Sequence, residues 1–402
     1  MNILFLTPQI PYPPHSGGRI VTWNTIRRFA QSATVHVVSL YHHPSERSYL
    51  KAMQKICATA EAFPAHGKWS LWPMLHSCCS TWPFKALRFY NPAMKAYVRQ
   101  LLDEHPIDVI HAQNFYTTTY ADGDEPCLKI HYKENMEGNL LIRYSQAHPN
   151  LAVQMLAYFE GLRTRRFEMR ACHKFDRVLA ISPLDRDALL ERNPSLSIEH
   201  QPAGVDLDAY PFLPEPSGPP TLVFTGTMSY YPNADGVRTF LEQAWMKIRT
   251  RVQDARLMIV GSDPPPSIQK WDGADGVTVT GRVPSVHDYL KQATLYLVPL
   301  RVGGGIRLKI LEAMASGRAI VSTPVGCEGL QVTDGEHLRI AGLGDNFAAA
   351  VIQLLEKPDL RNQLREKARA QVEALYNWDA IVAEQVARYQ QWLMERPPHP
   401  RV

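Results

Sequence analysis

Residues 299–317 read PLRVGGGIRLKILEAMASG. An apolar run at residues 295–299 leads into the three glycines, and apolar residues at helical spacing follow them as far as Gly317. The segment therefore predicts a buried strand, a glycine loop and a helix. Glycines before a helix expose backbone N–H groups, and a helix N-terminus carries partial positive charge, so this arrangement favours an anion such as phosphate.

Charged side chains at the start of this helix support a phosphate site. Arg307 and Lys309 add positive charge to the first turn, where cations are unfavourable unless an anion offsets them. Glu312 follows Lys309 by three residues, so both side chains can share one helix face. We interpret Arg307 and Lys309 as phosphate ligands and Glu312 as an acceptor of hydrogen bonds from ribose hydroxyls. A solvated helix with a salt-bridged Lys–Glu pair is the alternative interpretation.

The whole chain alternates short apolar runs with longer amphipathic stretches. Strands are predicted at residues 2–7, 33–39, 109–111, 127–131 and 177–181, and again at 221–225, 255–260, 277–280, 295–299 and 318–322. Strands separated by helix-length segments predict parallel sheets. We therefore expect an α/β protein of two Rossmann-like domains, with ligands bound at the carboxyl ends of the strands.

A proline-rich segment around residues 201–220 marks the predicted joint between the domains. We predict a first domain of residues 1–202 and a second of residues 203–378. The remaining residues, 379–402, predict a helix that packs back on the first domain.

Composition excludes several classes of protein. The net charge of +4 over 402 residues is too small to indicate a nucleic-acid partner. The 6 cysteines lack the spacing of a metal or redox site, and scattered thiols are typical of a reducing compartment. No apolar stretch reaches the length of a spanning helix, and no basic region precedes the first apolar run as in a signal peptide. We therefore place the protein in the cytoplasm.

The segment from Arg301 to Gly329 resembles the donor-binding signature of glycosyltransferase family 4, and the resemblance extends over nearly the whole chain. It implies a GT-B fold, in which an acceptor-side domain and a nucleotide-sugar-binding domain face each other across a cleft. It also implies a retaining transfer of sugar from a nucleoside-diphosphate sugar to a glycan, lipid-linked or small-molecule acceptor. Members closest in pattern assemble bacterial exopolysaccharides or surface glycans.

The resemblance also implies roles for residues at several strand ends. Gly17 and Gly18 are similar to a glycine pair that approaches the donor phosphates and the acceptor, although such a pair is also common in turns. The other implied donor-binding residues are Gly226, Thr227, Arg282, Val283, Gly303, Gly304, Gly305 and Glu312.

Three departures from the family pattern bear on these roles. Of two family glutamates seven residues apart, the second matches Glu312 and the first falls on Gly304. An arginine that is frequent after the first strand of the second domain is missing, and Arg301 or Arg307 can supply its charge. Glu134 falls where a histidine is frequent.

Glu134 is our candidate for the acceptor-side catalytic residue, beside Arg307 and Lys309 on the donor side. A carboxylate there can act as a base or stabilise positive charge that develops on the sugar. His111 and His131 are the alternative acceptor-side residues. Because cationic side chains and a helix N-terminus can stabilise the leaving diphosphate, we expect no obligatory metal ion or other cofactor.

Residues 69–90 are rich in aromatic and basic side chains, which are typical of a packed helical insert or of a membrane surface. Peripheral association with the cytoplasmic face of the inner membrane therefore stays open, whereas no nucleic-acid partner is expected.

Three other functions also stay open. A nucleotide-sugar epimerase or hydrolase would share the fold and a basic phosphate site. A nicotinamide-dependent oxidoreductase would need Gly-x-Gly-x-x-Gly spacing, which the triple glycine lacks. A catalytically silent binding protein would account for the missing histidine and glutamate.

Overall fold

The computed structural model describes residues 1–67, 76–77, 80–148 and 150–396. The chain divides into two compact units, Met1–Ala203 with Trp378–Val402 and Gly204–Asn377. Part of the aromatic segment at residues 69–90, including Trp69 and Trp72, lies outside the described residues.

The first unit is built on a parallel sheet of seven strands within the described residues, in the order β3-β2-β1-β4-β5-β6-β7. The strands are β1 (Asn2–Thr7), β2 (Thr34–Tyr41), β3 (Thr59–Pro64), β4 (Val109–Gln113), β5 (Leu128–Lys133), β6 (Arg177–Ala180) and β7 (Ile198–His200). The helices are α1 (Gly17–Phe29), α2 (Leu50–Gln54), α3 (Phe84–Arg88), α4 (Pro92–Glu104), α5 (Glu137–Ala147), α6 (Leu151–His173) and α7 (Pro183–Leu190), with 3₁₀ turns at Pro44–Tyr49 and Thr118–Tyr120.

The second unit is built on a parallel sheet of six strands, in the order β10-β9-β8-β11-β12-β13. The strands are β8 (Thr221–Thr225), β9 (Arg256–Val260), β10 (Val277–Gly281), β11 (Leu295–Val298), β12 (Ala319–Ser322) and β13 (Arg339–Ile340). The helices are α8 (Tyr231–Phe240), α9 (Met246–Arg251), α10 (Pro266–Gln269), α11 (His287–Gln292), α12 (Leu308–Ala315), α13 (Asp345–Glu356) and α14 (Pro358–Leu375), and a π-helical turn, Leu241–Trp245, joins α8 to α9.

The central strands form the cores of both units. β4, β5, β8, β11 and β12 are buried along their whole length, as expected of parallel strands covered by helices on both faces. The prediction of an α/β protein with two Rossmann-like domains is confirmed.

The last helix, α15 (Trp378–Glu395), belongs to the first unit. It packs on α1, where Arg28 Nε lies 2.6 Å from Asp379 Oδ1 and the rings of Phe29 and Tyr389 are 5.4 Å apart. The chain thus leaves its first unit once and returns to it at the end. Among the described residues, every helix is too short or too polar to cross a lipid bilayer.

Candidate functional site

The second sheet reverses its direction of growth between β8 and β11. From β8 the chain proceeds outward to β9 and β10, and from β11 it proceeds the other way to β12 and β13. The loops after β8 and β11 therefore separate and leave a crevice at the carboxyl ends of the strands, where sheets of this kind bind ligands. We call these two loops (residues 226–230 and 299–307) and the first turns of α12 the second-sheet edge.

Lys309, in the first turn of α12, reaches across the second-sheet edge to the end of β8. Its Nζ donates to the carbonyl oxygen of Thr225 at 2.7 Å and to Oδ1 of Asn233 at 3.0 Å. It also lies 4.3 Å from the ring centroid of Phe224. Desolvation, followed by the nearby charge of Arg307, lowers the pKa of Lys309 to about 7. An anion at this edge would therefore stabilise an ammonium group that the protein alone solvates poorly.

Glu312 lies one turn after Lys309 on the same side of α12. It accepts a hydrogen bond from the hydroxyl of Tyr210. Burial raises the pKa of Glu312, whereas this hydrogen bond and the charge of Lys309 oppose the rise. The edge thus presents a cation and a hydrogen-bond acceptor, the pair that a phosphate and a ribose require.

Arg307 precedes α12 and folds back onto the glycine loop. The helix begins one residue later, so of the two cations expected in its first turn only Lys309 is found there. The guanidinium of Arg307 donates to the carbonyl oxygens of Gly304 and Gly305. A Cβ atom on Gly303 would lie 2.3 Å from Arg307 Nη2, so a side chain at this position would displace the guanidinium. Arg307 therefore holds the loop in shape as well as adding charge beside it.

Gly226 and Gly261, which follow the neighbouring strands β8 and β9, pack backbone against backbone. Both have positive φ, at 155° and 152°, and a Cβ atom on Gly261 would lie 1.9 Å from the carbonyl oxygen of Gly226. A Cβ atom on Gly226 would lie 2.9 Å from Nζ of Lys309. Thr227 is exposed on the same loop, and its carbonyl oxygen accepts from Asn233 Nδ2 at 2.9 Å.

The other residues implied by the resemblance, Arg282 and Val283, follow β10, two strands from β8. Arg282 is exposed after β10, which β9 separates from β8, and Val283 packs against the apolar core. Nε of Arg301 lies 3.0 Å from Oδ2 of the buried Asp235. The charge of Arg301 is thus paired, which leaves Arg307 as the better candidate for the missing family arginine.

Two contacts of the second-sheet edge were missed by sequence reasoning. Asn233 is the third residue of α8, and helix starts after glycine loops commonly face ligands, so its position gave a usable signal. Tyr210 belongs to the proline-rich joint and meets Glu312 only through the fold, so no pattern in the sequence indicates this contact.

The first sheet also reverses its direction of growth, between β1 and β4. Glu134 follows β5 directly, and its carboxylate is held by two amides at the end of β4. Gln113 Nε2 donates to Oε1 at 2.6 Å, and Asn114 Nδ2 donates to Oε2 at 2.9 Å. Asn114 has a φ of 73°, a conformation that asparagine tolerates better than most residues. We call Glu134, its two amide partners and the start of α1 the first-sheet edge.

The start of α1 comes close to this carboxylate. α1 begins at Gly17, and a Cβ atom on Gly18 would lie 3.1 Å from Oε2 of Glu134. Burial raises the pKa of Glu134, while the hydrogen bonds from the two amides oppose the rise. The structure therefore places the start of α1 beside the carboxylate of Glu134.

His111 and His131 have no exposed surface. Both ring nitrogens of His111 are engaged, Nδ1 with the Tyr389 hydroxyl at 2.7 Å and Nε2 with Gln113 Oε1 at 3.1 Å. Burial lowers its pKa to about 4. His131 lies within β5, with the thiol of Cys172 3.9 Å from Nδ1. Neither ring is presented at the first-sheet edge, so Glu134 is the better candidate for contact with an acceptor.

Asp-x-Asp pairs, whose carboxylates suit divalent ions, occur at Asp122/Asp124, Asp185/Asp187 and Asp206/Asp208. Asp122 forms ion pairs with Lys95 and Lys174, and Asp185 accepts a hydrogen bond from Ser182. In the part of the chain that the structure describes, no three His, Cys, Asp or Glu side chains are grouped closely enough to hold a metal ion.

Comparison with known proteins finds a family match in the second unit. Residues 219–357 match the family described as Glycosyl transferases group 1. A phosphatidyl-myo-inositol mannosyltransferase from Mycolicibacterium smegmatis is 26% identical over 316 residues, 76% of this chain and 76% of that protein.

Solved structures resemble the chain over almost its full length. Sucrose-phosphate synthase from Thermosynechococcus elongatus superposes with a TM-score of 0.72 at 18% identity, covering 98% of this chain and 100% of that one. The Anabaena protein HepE in complex with UDP superposes with a TM-score of 0.69 at 15% identity, also covering 98% and 100%. The family match falls on the unit that carries Lys309, and the likeness of fold spans both units, so the protein has a GT-B fold and its second unit resembles the group 1 glycosyltransferases.

Proposed function

We propose that this glycosyltransferase is a retaining, metal-independent enzyme of the cytoplasm, acting in bacterial polysaccharide biosynthesis. It transfers a sugar from a nucleoside-diphosphate sugar to a glycan, lipid-linked or small-molecule acceptor. The observation that carries the proposal is the position of Lys309, a cation with its pKa lowered to about 7, at the reversal point of the second sheet. The name of the mycobacterial relative supports a lipid-linked acceptor.

The donor diphosphate binds at the second-sheet edge. During transfer the bond between the anomeric carbon and the diphosphate oxygen breaks, and its electron pair leaves with the phosphate. Lys309, Arg307 and the N-terminus of α12 stabilise this growing negative charge more than they stabilise the intact donor, which lowers the barrier. Glu312 accepts hydrogen bonds from the ribose hydroxyls, held in place by Tyr210.

The acceptor meets Glu134 at the first-sheet edge. Its hydroxyl oxygen forms the new bond on the same face of the sugar, so the anomeric configuration is retained. Glu134 stabilises positive charge on the sugar or receives the hydroxyl proton. The two amides that hold its carboxylate leave it little freedom to rotate, which favours a positioned catalytic group.

A calorimetric screen tests the donor site. The wild-type protein is titrated with nucleoside diphosphates and their common sugars in the presence of a chelator. We expect one nucleotide to bind tightly and Lys309→Ala to lose that affinity. Lys291→Ala is the matched control, because Lys291 is an exposed lysine of the same unit, paired with Asp288 in its own helix. If no nucleotide binds, or if both variants bind alike, the donor site is wrong.

Turnover with the identified donor tests the chemistry. Lys309→Ala and Arg307→Ala should each reduce turnover by about 100- to 1,000-fold, as expected for the loss of an oxyanion-type contact. Glu134→Gln should reduce turnover with little change in donor affinity, whereas Glu125→Gln, at a carboxylate that pairs with Lys129 elsewhere in the unit, should not. The anomeric configuration of the product, read by NMR, must match that of the donor, and a chelator must leave the rate unchanged.

We also propose peripheral association with an anionic membrane surface, through the exposed face of α6. Met155, Leu156 and Phe159 are 54%, 73% and 59% exposed, and Arg166 and Arg170 are exposed further along the helix. Apolar side chains beside basic ones suit the boundary of anionic lipids. Co-sedimentation with vesicles containing phosphatidylglycerol should fall in Leu156→Glu and Phe159→Glu. Equal binding of wild type and variants, or equal binding to neutral vesicles, would count against this surface.

A further inference from the structure

A chain of buried hydrogen bonds connects the last helix of the protein to Glu134. It begins at Gln385 in α15, whose Nε2 donates to the hydroxyl of Tyr389 at 2.8 Å. Tyr389 then contacts His111 Nδ1, His111 Nε2 contacts Gln113 Oε1, and Gln113 Nε2 donates to Glu134 at 2.6 Å. The first four residues are at most 2% exposed, so water does not compete for these bonds.

The direction of each hydrogen bond in this chain follows from its end at a carboxylate. An ionised Glu134 only accepts, so Gln113 must present its amide N–H to Glu134 and its amide oxygen to His111. His111 must then carry its proton on Nε2 and accept on Nδ1, which requires the Tyr389 hydroxyl to donate. Tyr389 in turn accepts from Gln385. Every donor points toward Glu134, an arrangement in which successive hydrogen bonds strengthen one another.

The surroundings of the chain hold its members neutral. His111 packs between the rings of Phe5 and Tyr132, with ring centroids 4.7 and 5.8 Å away. Burial lowers the pKa of His111 and raises the pKa of Tyr389, so neither side chain is charged near neutral pH. A protonated His111 would place N–H groups on both ring nitrogens and leave the Tyr389 hydroxyl proton without an acceptor.

We propose that Tyr389 and His111 are positioning residues for Glu134, and that α15 thereby takes part in acceptor-side catalysis. This inference rests on the role proposed above for Glu134. Without the Tyr389 hydroxyl, the imidazole of His111 is free to tilt or change tautomer. Gln113 then loses the contact that fixes its amide oxygen, and the carboxylate of Glu134 loses its fixed orientation. α15 thus does more than pack on α1.

Tyr389→Phe tests the proposal, because it removes one hydroxyl and keeps the ring that fills the core. We expect kcat to fall by about two- to tenfold, the effect of one buried hydrogen bond, with KM for the donor unchanged. Tyr120→Phe is the matched control. Its hydroxyl donates to the carbonyl oxygen of Phe89 and accepts from the backbone N–H of Asn91 in the same unit, apart from the chain to Glu134. This variant should leave kcat unchanged.

A double-mutant cycle separates the two proposals. If Tyr389 acts through Glu134, Tyr389→Phe lowers kcat in the wild type but not in Glu134→Gln. A full effect in both backgrounds, or equal effects of Tyr389→Phe and Tyr120→Phe, would overturn the positioning role. If instead Glu134→Gln alone leaves kcat unchanged, the assignment of Glu134 fails.

A measurement without turnover tests the chain itself. Nitrogen-15 NMR of the full-length protein should show His111 as the neutral Nε2–H tautomer, with no titration between pH 8 and about 5, well above its lowered pKa. A His111 that carries its proton on Nδ1, or that titrates in this range, would refute the chain whatever the role of Glu134.

Discussion

The lowered pKa of Lys309 makes donor binding depend on pH in a way that can be calculated. In the free protein Lys309 titrates at about 7, because desolvation and the charge of Arg307 disfavour its ammonium form. A bound diphosphate would sit against this ammonium group and raise its pKa. Binding therefore selects the protonated form. At pH 7 about half of the free protein must take up a proton, and at pH 8 about nine-tenths must do so.

The affinity for the donor should depend on pH because binding is coupled to this protonation of Lys309. Well below pH 7 Lys309 is already protonated, so affinity is constant with respect to this group. Above pH 7 each unit of pH should weaken donor binding by about tenfold, or about 1.4 kcal/mol, until the raised pKa of the complex is reached. A nucleotide sugar is the suitable ligand because both of its phosphates keep a constant charge over this range.

Calorimetry in buffers of different ionisation enthalpy measures the proton uptake directly. The wild type should take up about half a proton per donor at pH 7 and about 0.9 at pH 8. Lys309→Met should bind weakly with no uptake. Lys309→Arg keeps a charge whose pKa is far above this range, so any donor binding it retains should not depend on pH. Uptake near zero in the wild type, or the same uptake in Lys309→Met, would refute the assignment of Lys309 to the diphosphate.

Three further predictions concern stability and are checked by denaturant unfolding. Gly261→Ala should destabilise the protein by about 3 kcal/mol or more, because the new Cβ atom would meet a backbone oxygen. Gly281→Ala is the control and should cost about 1 kcal/mol, because Gly281 has positive φ but open space around it. Equal losses of stability in the two variants would contradict the packing argument. Lys133→Met should cost about 3–5 kcal/mol, because it leaves the buried carboxylate of Glu168 without its cation, and a loss under about 1 kcal/mol would show the pair to be dispensable. The buried His111 has a pKa of about 4 in the folded protein and about 6.5 unfolded, so unfolding takes up a proton and this residue alone should lower stability by about 3 kcal/mol from pH 7 to pH 4. An unchanged slope in His111→Gln would disprove this source.

The interior strands of both sheets could be predicted from the sequence, whereas of the four outermost strands only β10 could. β3, β7 and β13, for which no strand was predicted, each lie at an edge of a sheet. None of the three residues of β7 or the two of β13 is buried, and only alternate residues of β3 are. An interior parallel strand is apolar on both faces and therefore reads as a continuous run, whereas an edge strand lacks that pattern. The sequence does not indicate which neighbouring strand each edge strand pairs with.

Site residues that are close in the sequence could be predicted, whereas those brought together only by the fold could not. Lys309 and Glu312 are three residues apart, so helix geometry alone places them on one face. Tyr210 lies about a hundred residues before Glu312, and Tyr389 lies 278 residues after His111. Residues so far apart in the chain cannot be placed together by the repeat of a single helix or strand. Their proximity is produced by strand order and by the return of α15 to the first unit.

Arg307 contributes both to the charge beside the glycine loop and to the shape of that loop, two roles that cannot be told apart in the sequence. In the sequence, Gly303, Gly304 and Gly305 suggest exposed N–H groups for a phosphate, and Arg307 suggests a charge beside them. In the structure Arg307 also bonds the loop's own carbonyl oxygens and occupies the space where a side chain at position 303 would stand. Gly303 therefore leaves room for the guanidinium of Arg307 as well as for the approach of a ligand. Because the guanidinium contacts the loop that frames the phosphate site, the charge and the shape of this edge depend on the same side chain.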